Sequence, residues 1–314
     1  MKKKIISIVT PCFNEADNIT QLYNRIRLVM KRVSKKYEYE QIIIDNCSTD
    51  DTVKIAKRLA RLDKRLKIIV NNRNYGPVRS PYYGTLCARG DAVVLIAADL
   101  QEPPELIPDF IKKWEEGYDV VLAKKPISQE IFYMKIIRRS YYKIINNISE
   151  TPLEADSTGA GLFDKKVIET LKLISDPYPY FRGLVCELGF PRATIEFVQP
   201  PRMNGASKAT WYGMLDQALL AMTKHSRLPL RFMTVLGLLM GTLTLLISIV
   251  FFILKLLFWN EFPIGISPIL IGFFFISSIQ FFFLGLIGEY VGTILTHQRN
   301  MPLVIEKERV NFDK

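Results

Sequence analysis

The residues best placed to do chemistry are carboxylates and amides that directly follow apolar runs. Ala92 to Ala98 is such a run, and it stops at Asp99, Leu100 and Gln101 before the Pro103-Pro104 turn. Bounded on its other side by Gly90-Asp91, it reads as a buried strand of a parallel sheet. A carboxylate with an amide nearby, just past the carboxyl end of a strand, suits a hard divalent cation that neutralises a diphosphate. The same spacing also suits an aspartate that caps the following turn. Two further runs end in the same way. Ile5 to Val9 leads into Thr10-Pro11-Cys12-Phe13-Asn14-Glu15, and Gln41 to Ile44 leads into Asp45-Asn46-Cys47-Ser48-Thr49-Asp50.

For these loops to converge, the strands must lie side by side and point the same way. The spacing between them supplies the crossovers. Ile19, Leu22, Ile26, Val29 and Val33 mark an amphipathic helix after Asp17-Asn18. Ile55, Ala56, Leu59 and Leu62 mark a second, Val78 to Ala88 a third and Leu106 to Trp114 a fourth. Leu66 to Val70 and Val120 to Ala123 add strands. This alternation predicts a doubly wound α/β domain with a mostly parallel sheet. Leu162 to Leu173 reads as a further helix, which would leave Asp156 as a turn or N-cap residue before it. No GxGxxG and no GxxxxGK[ST] is present, so the usual dinucleotide and P-loop readings lose their support. A nucleotide held by carboxylates and a bound metal is the expectation that remains.

The composition shifts sharply along the 314 residues. The chain is mixed and charged up to about Arg231, and Phe232 to Leu295 is almost wholly apolar. Residues 232–258 and 266–295 are each long enough to span a bilayer, which takes about 20 residues. Lys and Arg flank both, which places the sheet domain (1–230) and the 296–314 tail on the cytoplasmic side. The formal net charge of +11 calls for an anionic partner. A membrane surface explains the apolar stretch as well, whereas nucleic acid does not. Residues 131–148 and 211–227 mix aromatic and aliphatic side chains with Lys and Arg. They read either as interfacial helices or as ordinary core-facing ones. Cys12, Cys47, Cys87 and Cys186 have no metal or CxxC spacing and read as plain thiols.

Several segments together resemble the GT-A family 2 glycosyltransferases, and within them the polyprenyl-phosphate glycosyltransferases (dolichyl-phosphate mannose synthase and GtrB-like enzymes). The family's P-x-[YF]-N-E-x-x-N-I is matched by Pro11, Phe13, Asn14, Glu15, Asn18 and Ile19. Its V-D-D-x-S-x-D-x-T is matched by Asp45, Ser48, Asp50 and Thr52. Asn74, Gly76, Gly90, Asp91 and the run Asp99-Leu100-Gln101-Glu102-Pro103-Pro104-Glu105 match its central block. Phe181-Arg182-Gly183 and Leu188-Gly189-Phe190 look like its RGL…GF. Arg202, Gly205, Ser207 and Lys208 look like its R-x-x-G-x-S-K. The similarity runs through Ser226, Pro229-Leu230-Arg231 and Gly285 to Tyr290, nearly the whole chain.

The resemblance implies a membrane-bound inverting transferase that moves a sugar from a nucleotide donor, by default a UDP-sugar, to polyprenyl phosphate. It implies Asp99 and Gln101 as ligands of Mg²⁺ or Mn²⁺, and Pro11, Phe13, Asn14, Glu15, Asp45, Asn46 and Arg79 around the nucleotide sugar. Arg202 and Lys208 would reach phosphates, and Asp156 would sit at the reacting centre. Arg138, Arg139, Ser207, Lys208 and Arg231 would face the lipid phosphate or membrane. A homo-oligomer fits the family likeness. The chain departs from the family at three places. Asn46 stands for the second Asp of the DD pair and Ala97 for the first Asp of D-x-D. Asp156-Ser157-Thr158-Gly159-Ala160-Gly161-Leu162 stands for D-x-G-D-F-R-L. These departures keep open a catalytically silent scaffold or nucleotide-sugar sensor. A processive synthase would need a Q-x-x-R-W segment, which is absent.

Overall fold

The computed structural model describes residues 3–125, 157–200, 228–258, 266–299 and 301–312. The first part alternates as its hydrophobic pattern requires: β1 (Lys4–Cys12), α1 (Ala16–Val33), β2 (Tyr37–Asp45), α2 (Thr52–Leu62), β3 (Leu66–Asn71), α3 (Gly76–Leu86) and β4 (Ala92–Leu95). A 3-10 turn (Pro104–Leu106) then opens α4 (Ile107–Glu115), followed by β5 (Val120–Lys124). Beyond it come β6 (Ser157–Asp164), α5 (Lys165–Lys172), α6 (Phe181–Glu187), β7 (Arg192–Glu196), α7 (Leu228–Leu257), α8 (Ile266–Gln298) and β8 (Glu306–Val310).

The strands form one eight-stranded sheet in the order β7-β5-β6-β4-β1-β2-β3-β8. Helices cover both faces. The buried stripe of α1 (Ile19, Leu22, Tyr23, Ile26, Val29, Met30) packs with Ala56 and Ala60 of α2 and Phe110 and Trp114 of α4 against one face. Tyr82 of α3, Val167, Ile168 and Leu171 of α5 and Val185 of α6 pack against the other. The doubly wound expectation therefore holds.

The sheet is mostly parallel, as expected, with β6 and β8 as its antiparallel strands. β1 pairs in parallel with β2 and β4, β2 with β3, and β5 with β7. β6 lies antiparallel between β4 and β5, and β8 lies antiparallel on β3. Both antiparallel strands correct the sequence reading. Residues 162–164, expected in a helix, belong to β6, because Leu162 and Phe163 are both fully buried on opposite faces. The helix starts later, where Asp164 Oδ1 accepts the Lys166 N–H at 2.9 Å. The tail is likewise part of the sheet domain. Arg79 donates to the carbonyl oxygens of Leu303 (2.9 Å) and Pro302 (2.6 Å), and Asn311 donates to Ala60 O and Leu66 O. Its charged strand covers the β3 edge, a common way to block edge-to-edge pairing.

A buried polar knot joins the amino-terminal ends of the central strands. Glu40 accepts from Ser7 Oγ, Lys67 Nζ and the Arg89 N–H, and Gly90 N donates to Ser7 Oγ at 2.8 Å. A Cβ at Gly90 would lie 2.7 Å from Ile5 O, so only glycine lets β4 come this close to β1. Burial alone would raise the Glu40 carboxyl, but its donors, led by Lys67, outweigh it and hold the group below its usual value. A depressed carboxyl adds stability above its unfolded pKa, and that stability is lost as pH falls through the folded value. Glu40→Ala should therefore cost about 3 kcal/mol near neutral pH. The gap to the wild type should narrow below the ordinary glutamate value of 4.5. Thermal melts of both proteins across this range check it; equal melting points at pH 7 would rule out the assigned role.

A second compact unit, Leu219–Arg299, contains α7 and α8. Many of its described apolar side chains are exposed, among them Leu239, Leu246, Phe273 and Phe281. Among the described residues one stretch, Phe275–Thr296, is long and apolar enough to cross a membrane, where the sequence led to an expectation of two.

Candidate active site

Strand order reverses between β1 and β4, whose carboxyl ends therefore open a crevice, the usual ligand position in such sheets. Pairing continues past β4, with Ile96 N on Val9 O (3.0 Å) and Ala98 N on Pro11 O (3.3 Å). Asp99 thus emerges beside the loop that carries Phe13, Asn14 and Glu15. Each strand-end loop contains a left-handed residue: Asn14 (φ 54°), Cys47 (φ 65°) and Leu100 (φ 60°). Asparagine tolerates this geometry, but leucine does not, and the strain is of order 1–3 kcal/mol. Leu100 is held there by its side chain, which is buried in the core. With Leu100 anchored inward, its neighbours Asp99 and Gln101 stay partly exposed at the rim.

The β1 and β2 loops are laced together. Asn14 N donates to Ser48 Oγ (2.8 Å), Asn14 Oδ1 accepts from Thr49 N (2.8 Å), and Glu15 N donates to Thr52 Oγ1 (2.8 Å). Glu15 Oε2 accepts from Asn18 Nδ2 at 2.6 Å. Asp45, 1% exposed, accepts from the Ser48 N–H and hydroxyl, and Cys12 Sγ lies 3.7 Å away. Burial, and then the Asp45 carboxylate, push the Cys12 thiol well above its usual value, so it stays an inert thiol. Asn46 is equally committed. Its Nδ2 donates to Asn74 Oδ1 (2.8 Å) and Gly76 O (3.2 Å), and its Oδ1 accepts from Tyr75 N (2.8 Å) and Asn71 Nδ2 (3.1 Å). Asp45 and Asn46 thus shape the rim from inside.

Around Asp99 the structure adds Glu102, Thr158 and Arg182, to which the sequence analysis gave no role at the site. Gln101 N donates to Asp99 Oδ1 at 3.1 Å. Glu102 is 8% exposed, and burial, followed by the neighbouring Asp99 charge, pushes its carboxyl up to about 7. A hydrogen bond with the Thr158 side chain and the charge of Arg182 act in the opposite direction. The run DLQEPPE shows three acidic residues before α4 but no sign of which is buried, so Glu102 gave no signal of its own.

This donor set suits a hard cation. Among the described residues no three His, Cys, Asp or Glu side chains form a closed metal cage. Mg²⁺ and its relatives seldom need one beside phosphates, because one or two carboxylates with water and phosphate oxygens complete the shell. Asp99 and Gln101 offer oxygen ligands at the rim, and the crowding of Asp99 with Glu102 is the kind of negative charge a cation relieves.

Arg79, expected around the nucleotide sugar, donates to the tail carbonyls, and its guanidinium lies 5.0 Å from the Tyr75 ring centroid. Asp156, Arg138, Arg139, Arg202, Ser207 and Lys208, with the segments 131–148 and 211–227, lie outside the described residues. Arg231 lies in α7, and its side chain is also outside the description.

Comparison with known proteins decides the family. The model for "Glycosyl transferase family 2" matches residues 7–171, more than half of the chain, including the strand-end loops of this crevice. The chain belongs to that family. The transferase is 33% identical over 98% of its length to an uncharacterized glycosyltransferase (YkcC) of Bacillus subtilis, covering 94% of that relative. It is 32% identical over 96% of its length to the SfII prophage-derived bactoprenol glucosyl transferase of Shigella flexneri, covering 97% of it. Among solved structures, the mannosyltransferase PcManGT from Pyrobaculum calidifontis overlaps 72% of the transferase and 64% of its own chain. That overlap has a TM-score of 0.48 at 16% identity.

Proposed function

We propose that the transferase moves a sugar from a nucleotide donor, a UDP-sugar first, to polyprenyl phosphate of the undecaprenyl type. Transfer would take place at the cytoplasmic leaflet of a bacterial inner membrane, for envelope glycan assembly or modification. One observation carries this reading: the likeness to bactoprenol glucosyl transferases extends over nearly the full length of both chains, apolar segment included. The acceptor phosphate oxygen would attack the anomeric carbon as the bond to the leaving diphosphate breaks, inverting that centre. An anionic acceptor hardly needs a general base. Asp156, one residue before β6, would orient the reacting groups, or remove a proton from a protonated phosphate. Arg202 and Lys208 would meet phosphate charge. Asp99 and Gln101 would hold Mg²⁺ or Mn²⁺, which supplies charge stabilisation to the leaving diphosphate when bound.

The membrane part of the reading has residues 232–258 and 266–295 as two spans, flanked by interfacial segments at 131–148 and 211–227. Arg138, Arg139, Ser207, Lys208 and Arg231 would then face lipid. A homo-oligomer is part of the same proposal.

The test uses the full-length protein in detergent with undecaprenyl phosphate, Mg²⁺ or Mn²⁺, and a panel of nucleotide sugars. Nucleoside diphosphate release and the mass of the lipid product are read together. A metal-dependent glycosyl phospholipid is expected. Release with no lipid adduct would sink the acceptor, and no release with any donor would favour a nucleotide-sugar sensor.

A further inference from the structure

The wall of the crevice next to Asp99 is built by the first residues of β6, and two of them have no side chain. At Gly161 a Cβ would lie 2.2 Å from Val121 O, so the backbone of β5 bars any larger residue. Gly159 is at φ +90°, and its Cβ would lie 3.0 Å from Arg182 Nε. What fills the gap is a guanidinium from another element. Arg182, the second residue of α6, lays its planar head over Gly159 and donates from Nη2 to Thr158 O at 2.6 Å. The Phe181–Phe163 contact, with ring centroids 5.0 Å apart, fixes the start of α6 against β6. The Arg182 side chain is nevertheless exposed, and a guanidinium has five donors, of which this bond uses one. Its charge reaches Glu102, the buried neighbour of Asp99. The site thus has a cation within reach of the loop assigned to the leaving diphosphate, on a wall where β6 itself supplies none.

We propose that Arg182 is a substrate-binding residue whose guanidinium, seated over Gly159, holds a phosphate group in the crevice. The proposal rests on the transferase reading for the identity of that phosphate, which belongs either to the nucleotide donor or to the lipid acceptor. A planar fork suits phosphate oxygens better than a lysine ammonium does. Gly159 is then a specificity element in its own right, since any side chain there pushes the fork aside.

Two binding titrations on the full-length protein separate the sources without requiring turnover. One measures UDP in the presence of Mg²⁺, and the other measures nanodisc-borne undecaprenyl phosphate against matched empty nanodiscs. Arg182→Ala is expected to weaken one of the two by roughly 10-fold or more, the effect of losing a charge-assisted phosphate contact. Arg182→Lys should fall between Ala and the wild type, and Gly159→Ala should weaken the same ligand. Loss in the UDP arm assigns the donor diphosphate, and loss in the nanodisc arm assigns the acceptor. Affinities within twofold of wild type in both arms would overturn the proposal. It is equally overturned if Ala and Lys lower the melting point alike while both affinities hold, since Arg182 is then only a brace for Thr158. Sugar transfer by the wild type is scored separately. Its absence, with Arg182-dependent UDP binding intact, would remove the transfer reading and leave the phosphate site standing.

Discussion

Asp99→Asn should lower kcat by about 10³-fold while the protein still melts at or above the wild-type temperature. The substitution is isosteric and removes one charge. In the proposed reaction that charge holds the cation at the leaving diphosphate, where a lost electrostatic contact typically costs 10²–10³-fold (about 3–4 kcal/mol). Folding should not suffer, because Asp99 sits at the rim, partly exposed, and its charge works against the neighbouring Glu102. A carboxyl raised to about 7 disfavours the folded state increasingly between the ordinary glutamate value of 4.5 and that pH. Relieving it offsets the lost Gln101 N–H bond to a charged oxygen. Steady-state kinetics beside a thermal melt give the answer. Turnover within tenfold of wild type would remove Asp99 from the reaction, and a large fall in melting point would make it a structural residue.

Asn46→Asp should destabilise the sheet domain by about 3 kcal/mol at pH 8, and by much less at pH 5. The Tyr75 N–H identifies which end of the amide accepts, so the other end must donate to Asn74 Oδ1 and Gly76 O. An aspartate would turn a buried oxygen towards two acceptors, and a charge would be left where a neutral donor was. Protonation restores one donor, so the aspartate's pKa would rise in the folded state and stability would return as pH falls. The family resemblance leads one to expect an aspartate at this position; in this chain the amide stands there and donates to the Asn74 side chain and the Gly76 carbonyl. Melting curves at the two pH values check it. A variant as stable as the wild type at pH 8 would mean that the knot at Asn46 can rearrange at little cost.

The part of the fold that was legible in the sequence is the part in which each element's pattern is set by its own burial. From Lys4 to Lys124, runs buried on both faces alternate with one-sided helical stripes, and the observed elements follow them to within a few residues. β6 was missed because Gly159-Ala160-Gly161 has no strand propensity. Its conformation is imposed by β4 and β5, which flank it. β8 was missed because Glu306-Lys307-Glu308-Arg309 reads as a solvated tail, and only the open β3 edge makes it a strand. At the site, the loop ends that carry Asn14, Asp45 and Asp99 could be read from spacing. The commitment of Asp45 and Asn46 to internal bonds, and the meeting of Glu102 with Arg182, depend on contacts between segments distant in sequence.

The returning strand has a consequence for how the chain is threaded. β8 is hydrogen-bonded to β3, so residues 306–310 and 66–71 occupy the same compartment. A sheet cannot be built across a bilayer from strands on opposite sides, because its backbone groups must pair within one medium. Whatever lies between them must therefore cross the membrane an even number of times. A single crossing by α8 is forbidden by parity: if Phe275–Thr296 passes through, a second segment must pass back, and α7, 30 residues long, has the length to do so.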